Sequence, residues 1–311
     1  MYNPYENASF ESQIIGVTHA HCKTQFSLNR LYNGGVRHFA ISNYYPSEPI
    51  YPLGSVFDNV PVDAISCPNA EFAHFIQSPT SFHMNGLGST WAAGNETETS
   101  PNIGWRESVT NILENLLYAD AGGVTINHPI WSKLPFRKCL EVLDFDDRVL
   151  GIEILNASTT YLDDGIALWD KILATGRRCF GFCVPDHHAE NHDEWVGRES
   201  ILANADNYSC LKAYRKGAFY SRINNTDLQF TSNRATDSAL TVTTANAESI
   251  RIITNTGTYE TQGNSASYTF KRNDVYARAE ASNNEDRIFA NAITLKERKK
   301  KRMLDLVFWL A

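Results

Sequence analysis

The chain has 311 residues, of which 42% are apolar, 12% aromatic and 20% charged, so it folds and buries a full core without disulfide staples. Acidic residues outnumber basic ones by 35 to 28, a net charge of −7, which argues against a nucleic-acid duplex as the main partner. No window approaches the roughly 20 apolar residues that span a bilayer, so no transmembrane segment is expected.

The opening MYNPYENASFESQ has neither the basic start nor the apolar run of a secretory signal. The six cysteines (Cys22, Cys67, Cys139, Cys179, Cys183 and Cys210) are scattered, with no C-x-x-C pair. Together these features predict reduced thiols and a cytoplasmic location.

Short apolar runs then alternate with segments of helical period. IIGVTHAH (14–21) reads as a strand with a polar end, VRHFAIS (36–42) as a second, and PVDAISCPNAE (61–71) contains a third. Val109, Ile112, Leu113, Leu116 and Leu117 place a helix within 104–122, stopped by Gly122 and Gly123. GVTINHP (123–129) and RVLGIEILNA (148–157) read as strands, followed by a helix from about Asp164 to Thr175 and a strand in RCFGFCVPDHH (178–188). This alternation predicts an α/β architecture with a largely parallel sheet. Beyond residue 222 the runs are short, alternating and rich in Thr, Tyr, Val and Ile, as in a small antiparallel β domain, a β-sandwich. The expected division is 1–222, 223–298 and a tail, 299–311. The basic run Lys296–Arg302 and the MLDLVFWLA after it read as a frayed or docking helix, or else as a membrane-surface anchor.

The residues that finish these runs carry chemistry. His19 and His21 stand two apart, so a strand points both to one face, where they can chelate one ion. Glu71, His83 and His128 follow at later run ends, and Asp186 and His188 repeat the two-apart spacing. Imidazole lone pairs and a bridging carboxylate are what a divalent metal site needs. His38 and His74 lie inside apolar runs and read as structural, whereas His192 is placed to line the mouth of a site.

The order H-x-H, Glu, a His twelve later, N-H-P and D-x-H resembles the polymerase-and-histidinol-phosphatase (PHP) family, in particular its stand-alone metal-dependent phosphoesterases. GIEILNA and LKAYRKGAFYS resemble a strand and the closing helix and strand of those proteins, and YARAEASNNEDRIFANAITL resembles the last strands of the C-terminal β-sandwich that several of them carry.

The resemblance implies a distorted, TIM-like (β/α)7 barrel. In it His19, His21, Glu71 and Asp186 hold one ion, and Glu71 bridges to a second held by His83 and His128. A third ion in that family uses His188, but its other two ligand positions are departed from here. Phe26 and Ser27 follow the H-x-H, and Ser42, Asn43 and Tyr44 replace T-D-H. A third ion would need a substitute from Asn43, Cys22, His187 or His192, so two zinc, iron or manganese ions are expected.

The implied activity is hydrolysis of a small phosphorylated metabolite or nucleotide by a metal-bridging hydroxide. His188 would then be free to serve as general acid, and Lys23, ahead of Arg106, Lys133 and Arg137, to hold the phosphate. The alternatives are a metal-dependent hydrolase of a non-phosphate substrate and a binding protein that has lost turnover. The β domain could serve as a cap or mediate homo-oligomerisation.

Overall fold

The structure, a computed structural model, describes residues 1–43, 49–77, 80–92, 104–157, 163–188 and 196–297. The first half comprises β1 (Ile14–Val17), α1 (Gln25–Asn33), β2 (His38–Ala40), β3 (Ile65–Cys67), β4 (Glu71–Gln77), β5 (Thr80–Leu87), α2 (Trp105–Glu114), β6 (Gly123–Ile126), α3 (Phe136–Phe145) and β7 (Val149–Asn156). It continues with β8 (Asp163–Asp164), α4 (Ile166–Leu173), β9 (Phe180–Val184), β10 (Arg198–Ile201), α5 (Asn207–Lys216) and β11 (Phe219–Arg222). Strands then follow without helices: β12 (Gln229–Ala235), β13 (Ala239–Ala245), β14 (Ser249–Thr254), β15 (Gly257–Gln262), β16 (Ser265–Thr269), β17 (Tyr276–Ser282), β18 (Arg287–Ala290) and β19 (Ile293–Thr294).

The helix ends follow local chemistry. Thr24 Oγ1 accepts from the Ser27 N–H to start α1, and Asp206 does the same for Ser209 at α5. Gly217 ends α5 at φ 71, and a Cβ there would lie 2.4 Å from the Phe180 ring, so both conformation and packing require glycine. Trp105, Val109, Ile112 and Leu113 form the buried face of α2, at helical spacing. The expected continuation through Leu116 and Leu117 is not helical. α2 ends at Glu114 because the chain beyond pairs with the 88–90 segment, Leu117 N–H donating to Gly88 O (2.8 Å) and Asn115 O accepting from Thr90 N–H (3.0 Å).

The expected (β/α)7, TIM-like barrel is not formed. Nineteen strands and five α-helices among the described residues make a mainly β protein of two large open sheets and a small one. The ten-stranded sheet runs β15–β14–β17–β18–β11–β10–β1–β2–β3, with β19 on β17. The six-stranded sheet runs β4–β5–β6–β7–β8, with β9 on β7. Parallel pairing is confined to β1–β2–β3 and to β6–β7–β9. β4 and β5 are an antiparallel hairpin, and β10 runs antiparallel to β1. A parallel neighbour needs a crossover of a dozen residues or more, and the two residues between β4 and β5 permit only a hairpin. No ring of hydrogen bonds closes among the described residues.

Four cores hold the sheets. The helices α2, α3 and α4 cover the six-stranded sheet through Ile112, Val142 and Trp169. α1 covers β1 and β2 through Leu28 and Leu31 against Val17 and Phe39. α5 packs Leu211 and Tyr214 on Phe182 and Phe219. The three-stranded sheet β12–β13–β16 lies over β14, β17 and β18, with Phe230, Leu240, Ile252 and Ile288 between the layers. The ten-stranded sheet passes through residue 222, since β11 pairs with β18. Buried Arg278 fastens β17 to α4, its guanidinium on the Asp170 carboxylate (2.6 Å) and 4.7 Å from the Trp169 ring centre. The six cysteines are buried, and none of them is in a disulfide. No helix among the described residues is long and apolar enough to cross a membrane. The tail, 299–311, lies outside the described residues.

Candidate metal centre

The two large sheets meet where β1 and β9 run out. Asp186 N–H donates to His19 O (3.0 Å) and His21 N–H to His187 O (3.3 Å), so the two strand extensions travel together. Further back, Ser221 of β11 joins the sheets by donating to Gly181 O (2.7 Å) and accepting from Cys183 N–H (3.2 Å). His19 and His21 extend β1, Glu71 opens β4, His83 lies within β5, His128 follows β6 and Asp186 follows β9.

These six side chains form two groups that share Glu71. In the first, the Nε2 atoms of His19 and His21 stand 3.1 and 3.2 Å from Glu71 Oε2, and 3.0 and 3.1 Å from Asp186 Oδ1. In the second, Glu71 Oε1 lies 2.9 Å from His83 Nδ1 and 3.4 Å from His128 Nε2. Each group offers ligand atoms within 4.8 Å of one another, and all six residues are buried. They are therefore a cluster able to hold metal ions. The His19 and His21 Nε2 atoms face each other at 3.3 Å, an approach that two protonated imidazoles oppose and two ligands of one cation adopt.

The carboxylates and imidazoles set each other's charge. Burial alone would raise Glu71 and Asp186, but the surrounding histidines hold both well below the usual carboxylate range. Burial alone would lower His19, yet Asp186, Glu71 and Glu153 hold it well above the ordinary imidazole value. His21 and His128 are raised in the same way. Two donors also sit on strained backbone, His128 at φ 25 and Asp186 at φ 40, a conformation that non-glycine residues adopt only when the surroundings impose it.

An outer layer of amides and one further acid fixes the donors. Asn127 Nδ2 donates to Glu71 Oε1 (3.1 Å) and to Asn85 Oδ1 (3.0 Å), while Asn85 and Asn69 each donate to Thr18 O at 2.9 Å. Ser132 Oγ meets His128 Nδ1 at 3.1 Å. Glu153, 2% exposed within β7, reaches His19 Nδ1 at 2.7 Å. Sequence reasoning missed Glu153, although a lone acid inside the otherwise apolar GIEIL was a readable signal.

The remaining candidates are distributed as follows. His188 stacks on His21 (centroids 4.1 Å apart), places Nε2 3.1 Å from Asp186 Oδ1 and is 38% exposed, so it stands at the mouth. Lys23 precedes α1 with an exposed side chain. Arg106 is bound to Glu141 and stacked on Trp105, while Lys133 and Arg137 are exposed. Where the family's third ion would lie, Ser42 Oγ accepts from Ala20 N–H, and Asn43 Nδ2 donates to Cys22 O (3.1 Å). His187 is buried. Tyr44 and His192 lie outside the described residues, as does the side chain of His74.

His38 stands apart from the cluster, on β2, with Nε2 3.0 Å from Asn207 Oδ1. Burial pushes its imidazole down to about 4. A depressed imidazole contributes stability that is present above the unfolded value of about 6.5 and is lost as pH falls toward 4. Relative to His38→Gln, the parent chain is expected to lose about 1.4 kcal/mol per pH unit across that window, about 3 kcal/mol in all. Urea unfolding of both chains at several pH values checks this, and parallel curves would refute it.

No family model, characterised protein or solved structure matches this chain.

Proposed function

We propose that this chain is a metal-dependent phosphoesterase acting on a small phosphorylated substrate, with two divalent ions held by the Glu71 cluster. The observation that carries the proposal is the sharing of one buried carboxylate, Glu71, between two groups of donors. A bridging carboxylate brings two cations close enough to act on one substrate group. Imidazole-rich donor sets suit zinc, iron or manganese over magnesium or calcium.

When bound, such a pair of ions polarises a phosphoryl oxygen and acidifies water. Glu71 and Asp186 would offset only part of the charge of two divalent ions held here, which would favour an anionic substrate. The chain's own residues do the rest. Asn127 holds Glu71 in its bridging position, and Glu153 orients His19. In this reading His188, 38% exposed and 3.1 Å from Asp186 Oδ1, would hand a proton to the leaving oxygen. The donor order resembles that of the PHP phosphoesterases, although the sheets around it are open.

Elemental analysis of protein purified without chelator or an immobilised-metal column tests this first. About two zinc, iron or manganese ions per chain are expected, with hydrolysis across a phosphomonoester panel that His83→Ala loses. Less than half an ion per chain, not recovered on adding metal, would overturn the reading. Two ions with no phosphomonoester turned over would move it to a non-phosphate substrate or a binding role.

A further inference from the structure

Glu153 has no place in either donor group, yet it touches both. Its Oε1 meets His19 Nδ1 at 2.7 Å. Its Oε2 accepts from the backbone N–H of His128 at 2.7 Å and from Asn156 Nδ2 at 2.8 Å. Asn156 Nδ2 also donates to Asp186 Oδ2 at 2.9 Å. One carboxylate thus reaches a ligand ring of the first group, a second ligand of that group through Asn156, and the strained backbone of a ligand of the second group.

We infer that Glu153 is a positioning residue that couples the two ion sites, so that seating an ion in one prepares the other. The inference rests on the two-ion reading above. Its physical basis is the pattern of donors. The His128 N–H and the Asn156 amide can only donate, so Oε2 must accept. An accepting Oε1 fixes the proton of His19 on Nδ1 and leaves the Nε2 lone pair for an ion. An ion drawing on His19 sharpens the Nδ1–H bond to Glu153. That fixes the carboxylate, which in turn fixes the backbone of His128 at its φ of 25.

Glutamine cannot reproduce this. With its oxygen toward His128 and Asn156, its NH2 faces His19 and drives the proton onto Nε2, blocking the lone pair. Turned round, it leaves the buried His128 N–H facing a second donor. Either way one site suffers first, and the two no longer fill together.

The test is manganese titration of the full chain and of Glu153→Gln, followed by electron paramagnetic resonance. In the parent chain, spin-coupled pairs should already dominate at one ion per chain, with a Hill coefficient above unity. In Glu153→Gln the half-saturating manganese concentration should rise roughly ten- to hundredfold, and uncoupled single-ion signals should appear at the same loading. Unchanged affinity and unchanged coupling in the variant would overturn the inference, as would independent filling of the parent chain. A parent chain that takes up no manganese would overturn the two-ion reading itself. If circular dichroism shows Glu153→Gln unfolded, Asn156→Ala is read instead. It removes the amide that joins Glu153 to Asp186 while leaving the Glu153 contacts to His19 and His128, and should reduce pairing at one ion per chain. Unchanged pairing there would overturn the inference.

Discussion

Replacing Glu71 with glutamine is expected to halve the ion content at least and to cut phosphoesterase turnover by a factor on the order of 10³ or more. Glu71 sends Oε2 to His19 and His21 and Oε1 to His83 and His128. Glutamine offers one oxygen, so one group of donors faces an NH2 that repels a cation. Losing one ion of a pair removes several kcal/mol of charge stabilisation, and each 1.36 kcal/mol is about tenfold in rate. The matched control is Glu199→Gln. Glu199 is also fully buried, but burial pushes its carboxyl well above the ordinary range, so the neutral acid and the amide are close in charge and shape. Ion content and turnover should survive there. Elemental analysis and initial rates on both variants decide the matter, and a Glu71→Gln protein with two ions and full activity would remove the basis for the proposed function.

The site was more legible in the sequence than the fold that carries it, for a physical reason. A polar donor at the end of a strand interrupts an apolar run, and that interruption is local, so His19, His21, His128 and Asp186 are each visible within a few residues. Glu71 and His83 stand twelve apart and face each other because β4 and β5 form a hairpin, with Ala73 opposite His83 and Glu71 opposite Asn85. Neither 71–77 nor 80–87 reads as a strand from the sequence, so their antiparallel pairing was out of sight there. Glu153 was hidden by the opposite circumstance. It sits inside a run whose neighbours are all buried, so attention to run ends passes over it.

Pairing partners far apart in the chain were beyond reach. Alternating strand and helix signals suggested a largely parallel sheet, and the family resemblance implied a barrel, yet β1 finds β10 at its side, antiparallel, with Gly16 opposite Glu199. Ile14–Val17 is four residues long, too short for its pattern to tell a parallel neighbour from an antiparallel one, and it has one of each, β2 and β10. The change of texture at residue 222 was real in composition, but β11 and β18 pair across it, because hydrogen bonding along a sheet edge does not depend on sequence composition. The shortened α2 has the same origin. Leu116 had helical spacing, but the backbone around it gained sheet-like partners at Ser89 and Thr90.

Stripping the ions is expected to lower the melting temperature by about 12 °C, by an amount that grows with pH. Each ion held at about a thousand times its dissociation constant contributes about 4 kcal/mol, so two contribute about 8 kcal/mol. For a chain of this length, 1 kcal/mol corresponds to roughly 1.5 °C. The pH dependence follows from the charges left behind. Without ions, His19, His21 and His128 have raised values, so their ion pairs with Glu71 and Asp186 stabilise the fold fully below the unfolded imidazole value of about 6.5. That contribution is lost as pH rises through their folded values. The depressed carboxylates contribute above their unfolded values near 4, and lose that contribution only in stronger acid. Between about pH 6 and about pH 8 the stripped protein therefore loses stability from the cluster. The loaded protein gains over the same range, because protons no longer compete with the ions for imidazole lone pairs. Thermal scans with and without a strong chelator, at both ends of that range, read the difference directly. A melting point indifferent to the chelator would mean that the cluster is held by its own ion pairs, and a gap that narrowed toward high pH would mean that the imidazoles are not the ligands.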